Sequence, residues 1–408
     1  MIEQECEKLR AVAWTELFPW LNIFRTFRMA IRVRSLLLGA VAIVLTVFGW
    51  ALIDLPFSGS DLAEQQLAIK AGTPWASLTS LVPDQPSLPG KESINPIVDV
   101  WKQLSSQLVA VFSARTGFGG LIHHILCGLW AVLIWAWFGG AITRSAALEL
   151  AAEERVGTGE LFEFVRRRWR AYFAAPLFPL LGVLLATIVI SLFGLLLNTG
   201  LSMWVSAILW PLLLVGGLMM AVLLLGLWFG WPLMWPTISS EGTDSFDALS
   251  RTYAYVFQKP LHYLWYLFVA GLFGVICWVL VWNFAAAVIA LTDWAASWGC
   301  GYARMTDVAD GTRSLGSGQG AALLIHIWQD CVRIIAVGFL YSYFWTASTA
   351  IYFLLRRNVD ATEMDEIFVE DEQAEEVYGL PKVDTDEAGA PSVDTTAETQ
   401  STDSPEEE

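Results

Sequence analysis

The chemistry-bearing residues inside or beside the apolar runs of this chain are few. His123 and His124 are followed by Cys127. On a helix, the i,i+4 step from His123 and the i,i+3 step from His124 put cysteine and histidine on one face, the beginning of a metal corner. His262 and His326 belong to other segments, so no second cluster accompanies it. Packed or interfacial histidines are therefore expected, and no metal or other cofactor is assigned. His326, Gln329, Asp330 and Arg333 form a second group. Asp330 and Arg333 stand at i,i+3 and suit a membrane-edge ion pair; ionisable groups there either mark a substrate path or simply pair at the interface.

Three Trp-Pro pairs occur, at Trp210-Pro211, Trp231-Pro232 and Trp235-Pro236. A proline removes a backbone donor and frees a carbonyl, which broken transporter helices use to bind ions. The plainer expectation is a kink at the first pair, and an aromatic belt and helix end at the other two. Asn283, amid apolar residues, suits an interhelical hydrogen bond. The cluster "RRRWR" supplies Arg166, Arg167, Arg168 and Arg170. With Arg251, these are the candidate contacts for lipid headgroups, each worth about 1 kcal/mol near an anionic surface; positive-inside topology alone would also place them. No P-loop, GxSxG or HExxH motif is present, and no span carries paired carboxylates, so no catalytic residue is nominated.

These residues sit in a chain of 408, 55% hydrophobic, with 21 Trp and a mean hydropathy of +0.52. Apolar stretches long enough for a bilayer recur along it. The expected class is an all-α polytopic membrane helix bundle. The net charge of -16 is localised: from Asn358 to Glu408 there are 18 acidic residues and one lysine, and the remainder carries a net +1. The segment 357–408 therefore reads as a disordered acidic tail that repels nucleic acid and anionic lipid. Within it, "MDEIFVEDE" and "EEVYGLP" resemble short docking motifs for a protein partner. The five cysteines show no CxxC spacing and imply no disulfide framework. The start, "MIEQECEKLR", has no apolar signal core, so the first span is expected to be an uncleaved anchor.

Six spans fit, at Leu36–Leu55, Gly119–Thr143, Leu177–Asn198, Ser206–Trp231, Tyr263–Leu291 and Ile334–Leu355. Placing both termini in the cytoplasm assigns 17 of the 24 basic residues to that side, as the positive-inside rule asks. Residues 1–35 then hold a cytoplasmic interfacial helix, 36–356 the membrane domain, and about 56–118 and 292–333 the outer loops. "NPIVDVWKQLSSQLVAVF" carries an apolar stripe at helical spacing and is expected as an outer-surface helix. "AALLIHIWQDCVR" is expected as a second, with a break, a tilt or an extension before the last span.

The stretch "DSFDALSRTYAYVFQKP" reads as an amphipathic helix with Phe246, Leu249, Tyr253 and Val256/Phe257 on its apolar face. Asp244 caps its start, Pro260 ends it, and Asp247 and Arg251 pair at i,i+4. "VGTGELFEFVRRRWRAYFAAP" matches it loosely, aligned on Gly157-Thr158 against Gly242-Thr243. A third copy lies at 17–34. Each precedes a two-span hairpin, which points either to a threefold repeat of interfacial helix plus hairpin or to unrelated interfacial helices.

The strings "FGGAITR", "RRRWRAYFAAPLFPLLG", "GWPLMWPTISSEGTDSFDALSRTYAYVFQKPLHYLWY", "GFLYSYFWTASTAIYFLLRRNVDATEMDE" and "YGLP" resemble a family of uncharacterised multi-spanning inner-membrane proteins of planctomycete bacteria, one without an assigned activity. The helix-then-hairpin plan is also similar to the membrane domain of some glycerophosphodiester phosphodiesterases, an architectural likeness that carries over no catalytic residue. The expected function is a non-enzymatic scaffold or complex subunit; the alternative is a carrier or channel for a small or lipid-like solute. Expected partners are membrane lipids and a protein bound through the tail.

Overall fold

A computed structural model describes residues 18–57, 95–111, 118–195, 200–309, 318–368, 383–385 and 391–393. The membrane unit extends through Ile367. It opens with a 3-10 turn, Pro19–Phe24, and a short helix α1 (Arg25–Ala30). Then come α2 (Val33–Asp54), α3 (Pro96–Val111), α4 (Phe118–Ala151), α5 (Thr158–Ala174), α6 (Leu177–Leu195) and α7 (Gly200–Glu241). The unit continues with α8 (Ser245–Gln258), α9 (Pro260–Cys300), α10 (Tyr302–Ala309) and α11 (Gln319–Asp360). Six helical stretches are long and apolar enough to cross a membrane, and the chain is an all-α, multi-pass membrane protein. In the tail unit, β1 (Val383–Thr385) pairs antiparallel with β2 (Pro391–Val393). The rest of the tail, and with it the expected disorder and the Tyr378 motif, lies outside the described residues.

Three hairpins, α2–α4, α6–α7 and α9–α11, are each introduced by a shorter helix: α1, α5 and α8. Each short helix packs on the second helix of the preceding hairpin. Tyr172 and Val165 of α5 lie over Gly140 of α4, and Thr252 and Tyr253 of α8 lie over Gly230 and Gly226 of α7. Phe27 of α1 meets Phe339 of α11 edge-on, and Ser342 donates to the Ala30 carbonyl, so the third contact closes a ring. The hairpins share a terminator as well. Glu153, Gly242 and Ala361, just past the ends of α4, α7 and α11, all have positive φ. That left-handed residue stops a helix and redirects the chain.

The unit repeats, but not in the sequence register that suggested it. The N-cap of α5 is Gly157 and that of α8 is Asp244. The Gly157/Gly242 identity is therefore out of structural register by two residues. In α8 the buried residues are Ala248, Thr252, Tyr255 and Val256, while Phe246 and Phe257 point outward. Where the surroundings are lipid, the apolar face need not be the packed one.

Three further expectations are corrected. First, α3 does not lie on an outer surface. Its C-terminal part meets the start of α4 through Gln107 and His124, 2.9 Å apart. Gln103 accepts from Tyr341 of α11 at 2.7 Å, and Trp101 packs on Trp228 of α7 at 4.8 Å. Asn95, at its N-terminal end, lies against Gly271 of α9, about 17 Å along that helix from Pro260 at 1.5 Å per residue. The helix thus descends between the spans; its apolar stripe signalled burial, but not against which surface. Second, α11 is one unbroken helix, so "AALLIHIWQDCVR" extends the last span rather than forming a separate surface helix.

Third, α7 continues through Pro211, Pro232 and Pro236, so the last two Trp-Pro pairs do not end it. Side chains of neighbouring helices also bond its backbone: Tyr263 donates to the Phe229 carbonyl at 2.6 Å, and Arg144 to the Ser239 carbonyl at 2.6 Å. Instead of a belt, Trp235 and Trp231 join an aromatic core along α11. Trp235 stacks on Trp345 at 4.4 Å, and Trp135 stacks on Tyr341 at 4.8 Å. α2 crosses α11 where Gly39 meets Gly338; a Cβ on Gly338 would stand 2.5 Å from the Leu36 carbonyl oxygen. Only glycine allows the backbones this close.

Candidate functional site

Polar side chains gather at two levels of the bundle. At the basic end, where α4, α7 and α11 terminate, they form a continuous layer. Glu149 of α4 is 3% exposed and takes Arg32 and Arg28, from the chain leading into α2. Arg34 donates to Ser145 at 2.5 Å and to the Val156 carbonyl. Arg144, also buried, lies 4.1 Å from the centre of the Phe164 ring besides its bond to Ser239. The Ser239 hydroxyl lies 2.7 Å from Thr143 Oγ1 and 2.8 Å from Tyr172 OH. This layer knits α4, α5 and α7 together.

Its second half centres on Glu241, the last residue of α7. Arg251 of α8 approaches it at 2.7 Å and Arg356 of α11 at 3.8 Å, and Tyr352 donates to it. Arg356 also reaches the carbonyls of Glu363 at 3.0 Å and Glu366 at 2.5 Å. Residues 361–367 are therefore part of the membrane unit, not of the tail. Burial opposes the Arg251 charge, but Glu241, Tyr352 and Tyr255 together more than restore it, so the guanidinium is held above its ordinary value. Burial, reinforced by Asp360, pushes the Tyr255 phenol up, and it donates to that carboxylate.

The candidate lipid-contact arginines fall into two groups. Arg166 is exposed and stands 3.9 Å from Glu163; Arg167 bonds the same carboxylate at 2.9 Å. Arg170 lies 6.0 Å from the Trp169 ring. Arg168 instead folds inward, over Phe164 and onto the Gly242 carbonyl at 3.1 Å. Arg251 is committed to Glu241 and not to Asp247, because the turn at Gly242 brings the end of α7 alongside α8. Asp244 caps α8 through the amides of Phe246 and Asp247. Asp330 and Arg333 bond at 2.8 Å, and Gln329 beside them donates to Asp293 of α9 at 3.0 Å. Asn283 bonds the Val279 carbonyl of its own helix, which corrects the interhelical expectation.

A cavity of about 440 Å³ opens between α3, α7, α9 and α11. Trp101, Phe229, Leu267 and Phe344 give it an apolar wall, and Asn95 and Ser348 contribute the polar atoms nearest its α3 and α11 sides. It suits an apolar chain better than an ion.

The second polar level is at the opposite end, where α2 finishes and α4 begins. Asp54 closes α2. His123 Nε2 lies 2.5 Å from Asp54 Oδ1 and 3.5 Å from Cys127 Sγ. The three ligand atoms lie within 4.8 Å of one another. His123 and Cys127 are 4% and 1% exposed, and Phe57 covers the imidazole edge-on at 5.2 Å. Trp50 clamps the junction by donating to the Cys127 carbonyl at 2.9 Å. His124 turns away to Gln107. Sequence spacing found His123 and Cys127 but missed Asp54, because the end of the first span meets the start of the second only in the folded hairpin. An acid closing an otherwise apolar span was the available signal.

No family model, no curated protein and no solved structure matches this chain.

Proposed function

We propose that the chain is a non-enzymatic scaffold or complex subunit of a bacterial inner membrane, with both termini in the cytoplasm. The observation that carries this reading is the self-contained polar layer. Glu149, Glu241, Arg144 and Arg356 are bound by protein groups from neighbouring helices. Buried charges paired in this way fix the arrangement of elements rather than await a substrate. Recognition then falls to what remains outside: the lipid-facing helices, the exposed Arg166, Arg167 and Arg170, and the acidic tail. Residues 368–408 would recruit a basic protein partner. The test is affinity capture from solubilised membranes, with and without residues 368–408. The truncation starts after Ile367 because the preceding residues brace the bundle. Loss of specific partners on truncation is expected; an unchanged partner set would contradict the tail's role.

The apolar cavity favours a second reading, binding and transfer of a lipid-like solute. Mass spectrometry of the gently solubilised protein tests it. A lipid retained by the native chain and lost on Ser348→Trp would support it; equal lipid content in both would remove it.

A further inference from the structure

We propose that Asp54, His123 and Cys127 bind a divalent metal ion of the zinc class at the junction of α2 and α4. The cluster brings one oxygen, one nitrogen and one sulfur ligand to one point from two helices. His123 and Cys127 lie one turn apart on α4, so a single rigid element sets both, and Asp54 is delivered by the end of α2.

The geometry separates a metal site from a catalytic relay. A cysteine–histidine–carboxylate relay uses both ring nitrogens, the nucleophile on one and the carboxylate on the other. Here Asp54 Oδ1 and Cys127 Sγ both approach the same nitrogen, His123 Nε2. Three donors converging on one point are arranged for a shared cation. The deep burial of Cys127 also suits a ligand better than a nucleophile, which needs access.

The donor set selects the ion. A thiolate, an imidazole and a carboxylate together favour zinc or cobalt over calcium or magnesium, which take oxygen ligands. Binding displaces the thiol proton to solvent. The resulting carboxylate and thiolate balance the two positive charges, with the imidazole neutral, so the occupied site carries no net charge. Three protein ligands leave the fourth tetrahedral position to water or another group. The ion would pin the first hairpin at the end opposite the basic layer.

The test uses the full-length protein in detergent, stripped with a chelator and titrated with Co²⁺ alone. One equivalent should bind, with the near-ultraviolet thiolate-to-cobalt band and the visible bands of four-coordinate cobalt. Cys127→Ser should lose the near-ultraviolet band. His123→Ala should lower the affinity by more than the roughly tenfold to hundredfold of an outer-shell change, and His124→Ala should leave binding and spectrum intact. If His123→Ala does not assemble, the nearly isosteric Cys127→Ser carries the test together with Zn²⁺-dependent melting of the native protein. A native protein without the thiolate band, or Cys127→Ser with an unchanged spectrum, would overturn the proposal and leave a hydrogen-bonded staple between α2 and α4.

Discussion

The two ends of the bundle hold polar residues in opposite ways. At the basic end, carboxylates meet arginines, and backbone carbonyls and hydroxyls take up the donors of the arginines that outnumber them, linking α1, α2, α4, α5, α7, α8 and α11. At the far end, a carboxylate and a thiol crowd one imidazole nitrogen on two helices. Both clusters are buried, so burial alone does not distinguish architecture from chemistry. Composition does: carboxylates and arginines bonded to one another build the fold, whereas a carboxylate, an imidazole and a thiol converging on one point are the donor set of a cation.

The predictions run from the strongest test of this contrast to the weakest. Glu149→Ala strands the largely buried Arg32 beside a buried gap, while Arg28, mostly exposed, turns to solvent. Removing one partner of a buried pair costs about 3–5 kcal/mol, and thermal unfolding in detergent should register most of the stability as lost. Tyr172→Phe removes one hydroxyl from the Ser239 cluster and should cost about 1 kcal/mol, the net value of a hydrogen bond, read by the same melt. Arg251→Ala should lower stability by up to about 1 kcal/mol, because the pair with Glu241 is partly solvent-exposed. The accompanying assay is the yield of membrane-assembled protein. Arg167→Ala, on the exposed face of α5, should change stability by less than about 0.5 kcal/mol. Its effect should appear instead as weaker binding to vesicles containing anionic lipid.

Much of the architecture was written in apolar run length. The six spans emerged because a bilayer demands long uninterrupted hydrophobicity, and each observed spanning helix contains an expected span or nearly all of one. What failed was the assignment of faces and neighbours. α3 has a helical apolar stripe, and such a stripe looks the same whether it lies on a surface or descends between helices. Pro232 and Pro236 looked like helix ends because local rules penalise proline, yet α7 runs on through both because its neighbours hold it along its length. Arg251 had a plausible partner in Asp247 four residues off, but the left-handed turn at Gly242 brought Glu241 nearer. Asp54 entered the far-end cluster through the pairing of two helices that a run-length reading treats separately. The threefold plan was visible in the order of the elements, yet the residue identities first used to align it were out of register.

The contrast between the two ends is tested most directly by melting three proteins, the native chain, Glu149→Gln and Cys127→Ser, with and without one equivalent of Zn²⁺. Glu149→Gln should melt lower than the native chain in both conditions and keep the full zinc-dependent rise. Cys127→Ser should show no rise, whatever its metal-free melting point. A native chain that zinc does not stabilise, or a Glu149→Gln variant as stable as the native chain, would contradict the account.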